Sequence, residues 1–339
     1  MQELNQRVVL KSRPEGWVTP DNFDLDTVPV TEPEDGQLLV RNVYLSVDPY
    51  MRGRMNDVKS YVSPFELGKP LQGGVVGQVV ASRNDAFAEG EWVSGMLGWE
   101  NFSVSDGEGL QKVQAGPAPL SYHLGILGMP GMTAYVGLIG VGELQKGENV
   151  FVTAASGAVG SVVGQIAKNM DCHVAGSAGS DEKVAFLTAE LGFDAALNYK
   201  TVEDPVAAVR GACPKGIDVH FENVGGPMFE AAIFNMRERG RIALCGMIAD
   251  YNAEVSALPP GPRGLFVLIG RSIRMQGFIV FNYPKLCAEW VALGSRWLTE
   301  GKIKYRETVA EGLENAAGAF IGMLEGKNFG KQIVRLADE

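Results

Sequence analysis

The sequence predicts an α/β fold, with a doubly wound parallel-sheet domain joined to a second, mostly β domain. Three observations lead there. The 339 residues exceed what one ordinary core organises, so two domains are expected. Residues up to about 125 fall into short apolar runs cut by Gly, Pro and Asp, with little helical periodicity. From about residue 130 strands and helices alternate, and that alternation implies a parallel sheet with helices on both faces.

In the first half, "QLLVRNVYLSVDP", "GGVVGQVVAS" and "EWVSGML" read as strands. In the second, "ENVFVT" is a short strand, and "GAVGSVVGQIAKNM" is a helix by its apolar residues at 159, 162, 163, 166 and 170. "CHVAGSA" is the next strand. Ser180 is placed to cap the helix "DEKVAFLTAELG", which Gly192 closes. "DAALNY" and "GIDVHFENVGG" follow as strands, the second ending in a glycine turn. "PMFEAAIFNM" is a helix, and "GRIALCG" and "SIRMQGFIV" are strands. The tail "RETVAEGLENAAGAFIGMLEGKNFGKQIVRL" reads as one helix and one final strand. Its texture differs from the α/β block, so it is expected to return to the first domain and make the α/β domain an insertion.

A net charge of −10 argues against nucleic acid and anionic membranes as partners, since both need a basic face. The four cysteines, at 172, 213, 245 and 287, have no C-x-x-C spacing, which disfavours a zinc ribbon or redox motif. Scattered thiols, the lack of an apolar leader and the lack of a long apolar run together point to a cytoplasmic protein.

Residues 153–164 read "TAASGAVGSVVG". Gly157 and Gly160 fall between a strand and a helix, where a dinucleotide-binding turn needs them. One glycine lets the backbone bend, and another lets a pyrophosphate approach the amides and dipole of a helix N-terminus. Gly164 then permits close helix–strand packing. Ala154 stands in place of the fingerprint's first glycine, and a glycine helix packed on a sheet is the plain alternative. About 20 residues further on, NAD-binding chains place an acid on the ribose 2′-OH. Here Gly176, Ser177 and Ala178 end that strand, and Lys183 follows. A missing anion and a nearby cation suit a 2′-phosphate, hence NADP(H). A solvated Lys183 on a helix face is the bland reading.

With these residues in view, the sequence resembles the medium-chain dehydrogenase/reductases. More narrowly, it resembles their zinc-independent alkenal/enone reductases, the group of the prostaglandin reductases and bacterial curcumin reductase. The carriers are "YLSVDPYMRGRM", "LGMPGMTAY", "AASGAVGSVVGQIAK", "GSDEKVAFL", "FENVGG", "ADYN", "MQGFIV" and "GKNFGK", in order over essentially the whole chain. The resemblance implies a GroES-like catalytic domain at 1–126 and 304–339 holding a Rossmann NADP-binding domain at 127–303, with the active site in the cleft. It also implies a homodimer.

Residue by residue, the resemblance assigns Lys183 and Tyr199 to the 2′-phosphate and adenosine ribose, and Asn223 to the ribose–diphosphate region. Ala154, Ser156, Gly157, Ala158, Val159, Gly160, Gly176, Ser177, Cys245 and Gly246 join the cofactor set. Tyr251 stands near the nicotinamide ribose and the substrate, Phe278 and Val280 hold the carboxamide through their backbones, Asn328 reaches the cofactor, and Met129 and Thr133 run along the nicotinamide. Each has a plain reading as a turn or core residue.

Zinc-dependent relatives carry a cysteine before an aspartate and then Gly-His-Glu. Here Ser46, Gly73 and Gly74 stand at those positions, and His173 and His220 lie in predicted strands as core residues. Alcohol dehydrogenation through a zinc Lewis acid is therefore not the expected chemistry. What the resemblance implies is hydride delivery from NADPH to the β-carbon of an α,β-unsaturated carbonyl, and a donor at the developing enolate oxygen would then lower the barrier. Tyr251 is the first candidate, and Tyr50 and Tyr61 are the others. Phe65, Trp99, Phe102, Met247 and Phe281 are candidates to line an apolar cleft. Arg52 and Arg54 read as salt-bridge residues sooner than as anchors for a carboxylate-bearing substrate. A quinone reductase and a non-catalytic NADPH-binding module are the rival readings.

Overall fold

A computed structural model describes residues 3–114, 116, 118–253, 257 and 259–339. The chain divides into two compact units, residues 1–125 with 307–339, and residues 126–306.

The first unit holds β1 (Leu4–Leu10), β2 (Phe23–Pro29), β3 (Leu38–Ser46), the short helix α1 (Met51–Arg54), β4 (Gln72–Ser82), β5 (Trp92–Gly98), β6 (Phe102–Ser105) and β7 (Gln111–Val113). The returning tail adds β14 (Glu307–Glu311), α9 (Ala316–Leu324) and β15 (Lys331–Arg335). Its main sheet runs β14-β15-β3-β4-β5-β7, with β6 paired to β3 and a separate β1–β2 ribbon. The tail thus contributes two strands, not one. β14 is half-exposed and pairs only with β15, so it carries little of the apolar alternation that marks a strand.

One buried cation organises this unit. The Lys331 ammonium donates to the Val47 and Gln332 carbonyls, both at 2.7 Å, and pairs with Asp48 at 3.2 Å. Asp48 in turn accepts from the Ser46 hydroxyl. A buried cation is tolerated when every donor is spent in this way. The result pins the loop that leads into Tyr50 and α1.

The second unit holds α2 (Met129–Tyr135), β8 (Asn149–Val152), α3 (Gly160–Asn169), β9 (His173–Ala178), α4 (Asp181–Ala189), β10 (Ala195–Asn198), α5 (Pro205–Ala212), β11 (Ile217–Glu222), α6 (Gly226–Asn235), β12 (Met236–Leu244), α7 (Phe266–Gly270), β13 (Arg274–Gly277) and α8 (Pro284–Thr299). Its six strands are parallel in the order β10-β9-β8-β11-β12-β13. The chain builds outward from β8 to β10, then crosses back to β11 and builds the other way. The order therefore reverses between β8 and β11, where open α/β sheets take their ligands, at the carboxyl ends of the strands. This is the Rossmann arrangement. The strand expected to run through Val280 stops at Gly277, because its partner β12 ends at the paired Leu244.

Candidate functional site

At the carboxyl ends of the parallel strands the second unit gathers most of the predicted cofactor residues. After β8 comes the glycine turn. Ala154 adopts φ +48°, the left-handed conformation for which the fingerprint uses glycine. The Ala155 amide donates to the Ser177 carbonyl at 2.9 Å, and the Gly157 amide turns back to the Ala154 carbonyl at 2.9 Å. Ser156 is buried, and Ala158 and Val159 lead into α3, whose first residue is Gly160. A Cβ on Gly160 would overlap the Ala154 carbonyl, and one on Gly164 would overlap the Phe193 ring. One on Gly176 would lie 2.5 Å from the Ala155 Cβ. The glycines at 160, 164 and 176 are thus required by packing. The turn they create is a cradle of backbone at a helix N-terminus, which fits a pyrophosphate.

Ser177 is buried near the end of β9, and no carboxylate occupies that strand end. Beyond it, the Ser180 hydroxyl caps α4 by accepting from the Lys183 amide at 3.3 Å. Burial holds the Lys183 ammonium below the ordinary lysine value, and the neighbouring Lys200 adds to the effect. Tyr199 follows β10, and a Cβ on Gly179 would lie 3.0 Å from its hydroxyl. Two lysines and a phenol therefore stand where a 2′-phosphate is expected, a donor set suited to a dianion.

Across the sheet reversal, Asn223 follows β11. Its amide donates to the Thr153 hydroxyl and its side-chain nitrogen to the Thr153 carbonyl, both at 2.8 Å. Cys245 and Gly246 follow β12, and their amides donate to the Glu222 carbonyl at 2.9 and 3.1 Å. Burial pushes the Cys245 thiol up to about 12, with the Glu222 charge adding to it. The Tyr251 hydroxyl folds back over Gly246 and accepts from the Met247 amide at 3.3 Å. Phe278 lies just past β13, its ring edge-on to Phe221, and Val280 is buried next to it. Met129 opens α2, and the Thr133 hydroxyl donates to the Met129 carbonyl at 2.7 Å.

Tyr50, Tyr61 and Asn328 belong to the first unit. Tyr50 precedes α1, and its hydroxyl lies 3.9 Å from the Met96 sulfur. Burial pushes its phenol above the ordinary value; Asp48 adds to this and Arg54 opposes it. The phenol therefore stays protonated, and able to donate, throughout the neutral range. Tyr61 is 65% exposed. The Asn328 side chain donates to the Gly330 carbonyl at 2.8 Å.

Several cleft expectations give way to the core. Trp99 is fully buried edge-on to Phe320, and Phe65 is buried under the Arg54 guanidinium at 4.1 Å. Arg52 and Arg54 are buried as well, but backbone carbonyls and amides take their hydrogen bonds. Arg52 donates to Gly16 and Asn56, and Arg54 to Ser63 and Gln72. At the zinc positions, a Cβ on Gly73 would collide with the Met51 and Trp99 side chains. Among the described residues no three His, Cys, Asp or Glu side chains group to hold a metal.

Reasoning from sequence missed Thr153 and Glu222. Glu222 carried a signal: a carboxylate closing the strand "IDVHFE" inside an α/β sheet has to be paired once buried.

Comparison with known proteins agrees with this geometry. Residues 6–113 match the family model of the N-terminal domain of oxidoreductase, and residues 158–295 that of zinc-binding dehydrogenase. The chain is 45% identical over 342 residues to NADPH-dependent curcumin reductase of Escherichia coli, covering 99% of this chain and 98% of that one. It is 46% identical over 340 residues to the NADP(+)-dependent 2-alkenal reductase of Nicotiana tabacum, with 99% and 98% covered. The crystal structure of CurA in complex with NADPH from Vibrio vulnificus superposes with a TM-score of 0.93 at 46% identity, covering 98% of this chain and all (100%) of that one. The chain belongs to the medium-chain dehydrogenase/reductase family, in the zinc-independent branch of the curcumin, alkenal and prostaglandin reductases.

Proposed function

We propose that this protein is an NADPH-dependent reductase of the carbon–carbon double bond of α,β-unsaturated aldehydes and ketones. The carrying observation is the strand-end site of the second unit: a glycine cradle, no acid at the end of β9, and Lys183, Lys200 and Tyr199 beside it. The relatives supply the reaction class, since those at 45–46% identity over almost the full chain are named as curcumin and alkenal reductases.

Bound NADPH supplies the hydride that reaches the substrate β-carbon. The protein's own task is to hold the cofactor and to meet the negative charge that grows on the carbonyl oxygen. The cradle from Ala154 to Gly160 takes the pyrophosphate, and Asn223, Cys245 and Gly246 border it. Tyr251 is the first candidate donor for the enolate oxygen, with Tyr50 and Tyr61 as the alternatives. The first unit is the catalytic domain and the second the NADP-binding domain. On this reading the protein acts in the cytoplasm as a homodimer, and the dimer is supported by the edge position of β13 in the second unit's sheet among the described residues.

The test follows cofactor oxidation by near-ultraviolet absorbance, with NADPH or NADH and a panel of trans-2-nonenal, 3-nonen-2-one, curcumin and a simple quinone. Loss of NADPH with a saturated carbonyl product is expected. Oxidation by the quinone alone would make it a quinone reductase. Tight NADPH binding without oxidation by any acceptor would make it a binding module.

A further inference from the structure

His220 and Glu222 form a completely buried pair beneath the sheet reversal, both at 0% exposure. Their proton arrangement follows from the partners. The His220 Nδ1 lies 3.0 Å from the Phe151 carbonyl, which can only accept, so Nδ1 carries a proton. The Nε2 lies 2.7 Å from Oε2 of Glu222. On its other oxygen, Glu222 accepts from the Thr153 hydroxyl at 2.9 Å, the Gly225 amide at 2.8 Å and the Val224 amide. One oxygen of Glu222 thus takes three donors, and the other is bonded to the His220 ring. The ring stacks between those of Phe151 and Phe229 at 5.6 and 5.8 Å. Replacing a buried polar pair by apolar packing is often neutral or stabilising, so this pair asks for a role beyond packing.

What it does is visible in the next bonds. The Thr153 hydroxyl that donates to Glu222 also accepts from the Asn223 amide. Thr153 ends one side of the reversal, and Asn223 to Gly225 end the other. Glu222 therefore ties both rims of the crevice to one carboxylate, and His220 fixes that carboxylate from below.

We propose that His220 is a positioning residue for the dinucleotide site: acting through Glu222, it sets the spacing between Thr153 and the Asn223–Gly225 turn. The inference rests on the reading that NADPH binds at this crevice. It predicts that removing the ring's hydrogen bond to Glu222 weakens cofactor binding far more than it slows the chemistry.

The experiment measures NADPH binding by fluorescence titration and steady-state kinetics for the wild type, His220→Phe and Glu222→Gln, with thermal unfolding of each protein free of cofactor. His220→Phe keeps an aromatic ring in the stack but leaves Oε2 without its hydrogen-bond partner. It is expected to raise both the NADPH Kd and KM by about ten-fold or more, with kcat within about two-fold. Glu222→Gln can hold the turn amides with its oxygen and donate to a neutral imidazole with its nitrogen. It is expected to bind within about three-fold of wild type. A lowered unfolding temperature with wild-type NADPH affinity would reduce the pair to core packing and overturn the inference. If His220→Phe does not fold, Thr153→Val cuts the hydroxyl link at nearly constant volume and carries the test. A Kd raised about five-fold or more supports the inference, and an unchanged Kd overturns it. A wild type that binds no NADPH overturns the reading of the site, and this inference with it; normal wild-type binding with an unaffected His220→Phe overturns this inference alone.

Discussion

Lys183 is held below its ordinary value by burial and by a second cation, so in the cofactor-free protein its charge is an expense. The sign follows directly. A lysine whose folded value is depressed subtracts from stability wherever it is ionised, at neutral pH included. On the proposed reading this cation meets the 2′-phosphate, which brings close to two negative charges to it. Lys183→Ala is therefore expected to leave the unfolding temperature of the cofactor-free protein unchanged or higher, because the Ser180 cap uses only the backbone amide. The same change is expected to raise the KM for NADPH by about ten-fold while leaving that for NADH within about two-fold. Steady-state kinetics with both cofactors at fixed ionic strength measures the ratio. An unchanged preference would remove Lys183 from the phosphate site.

At the scale of elements, the strand–turn–helix from β8 to α3 is constrained by backbone contact. Gly160 meets the Ala154 carbonyl and Ala155 Cα, both backbone atoms that cannot step aside as a side chain would. Gly160→Ala is expected to push α3 away from the turn, costing about 1–3 kcal/mol of stability and about ten-fold in NADPH affinity. Denaturant unfolding and fluorescence titration check the two halves. This turn was legible because glycine spacing reports backbone approach directly. The parallel strands were legible too, since strands buried on both faces read as near-continuous apolar runs, as in the fully buried β8. What escaped was set by partners far away in sequence. β14 is a half-exposed strand defined by β15. Trp99 belongs to the core because Phe320, from the returning tail, covers it. Glu222 takes its role from Thr153 and His220, 69 and two residues away in sequence. Periodicity senses a residue's own neighbours, and these roles are assigned by contacts it does not see.

For the whole molecule the open question is how copies associate, and the edge of the parallel sheet supplies the argument. β13 pairs with β12 on one side only, which leaves its other backbone edge as a template for a further strand. The segments before and after it in sequence carry exposed apolar residues: Phe266 is 70% exposed, Ile269 83% and Phe281 67%, with Leu265 and Met275 partly exposed. A net charge of −10 opposes indiscriminate clustering, so exposed apolar side chains of this kind suit a specific cover. A second copy related by a two-fold axis would bring β13 against its own mate and pair both edges at once, which suits a closed, isologous dimer. The wild type is expected to run at twice the chain mass by light scattering at micromolar concentration. Ile269→Asp and Met275→Lys together place charges in the patch without touching the strand-end site, and are expected to shift the protein toward the chain mass while NADPH affinity stays within about two-fold. A wild type at the chain mass would refute the dimer. A double variant that remained dimeric would move its interface away from β13.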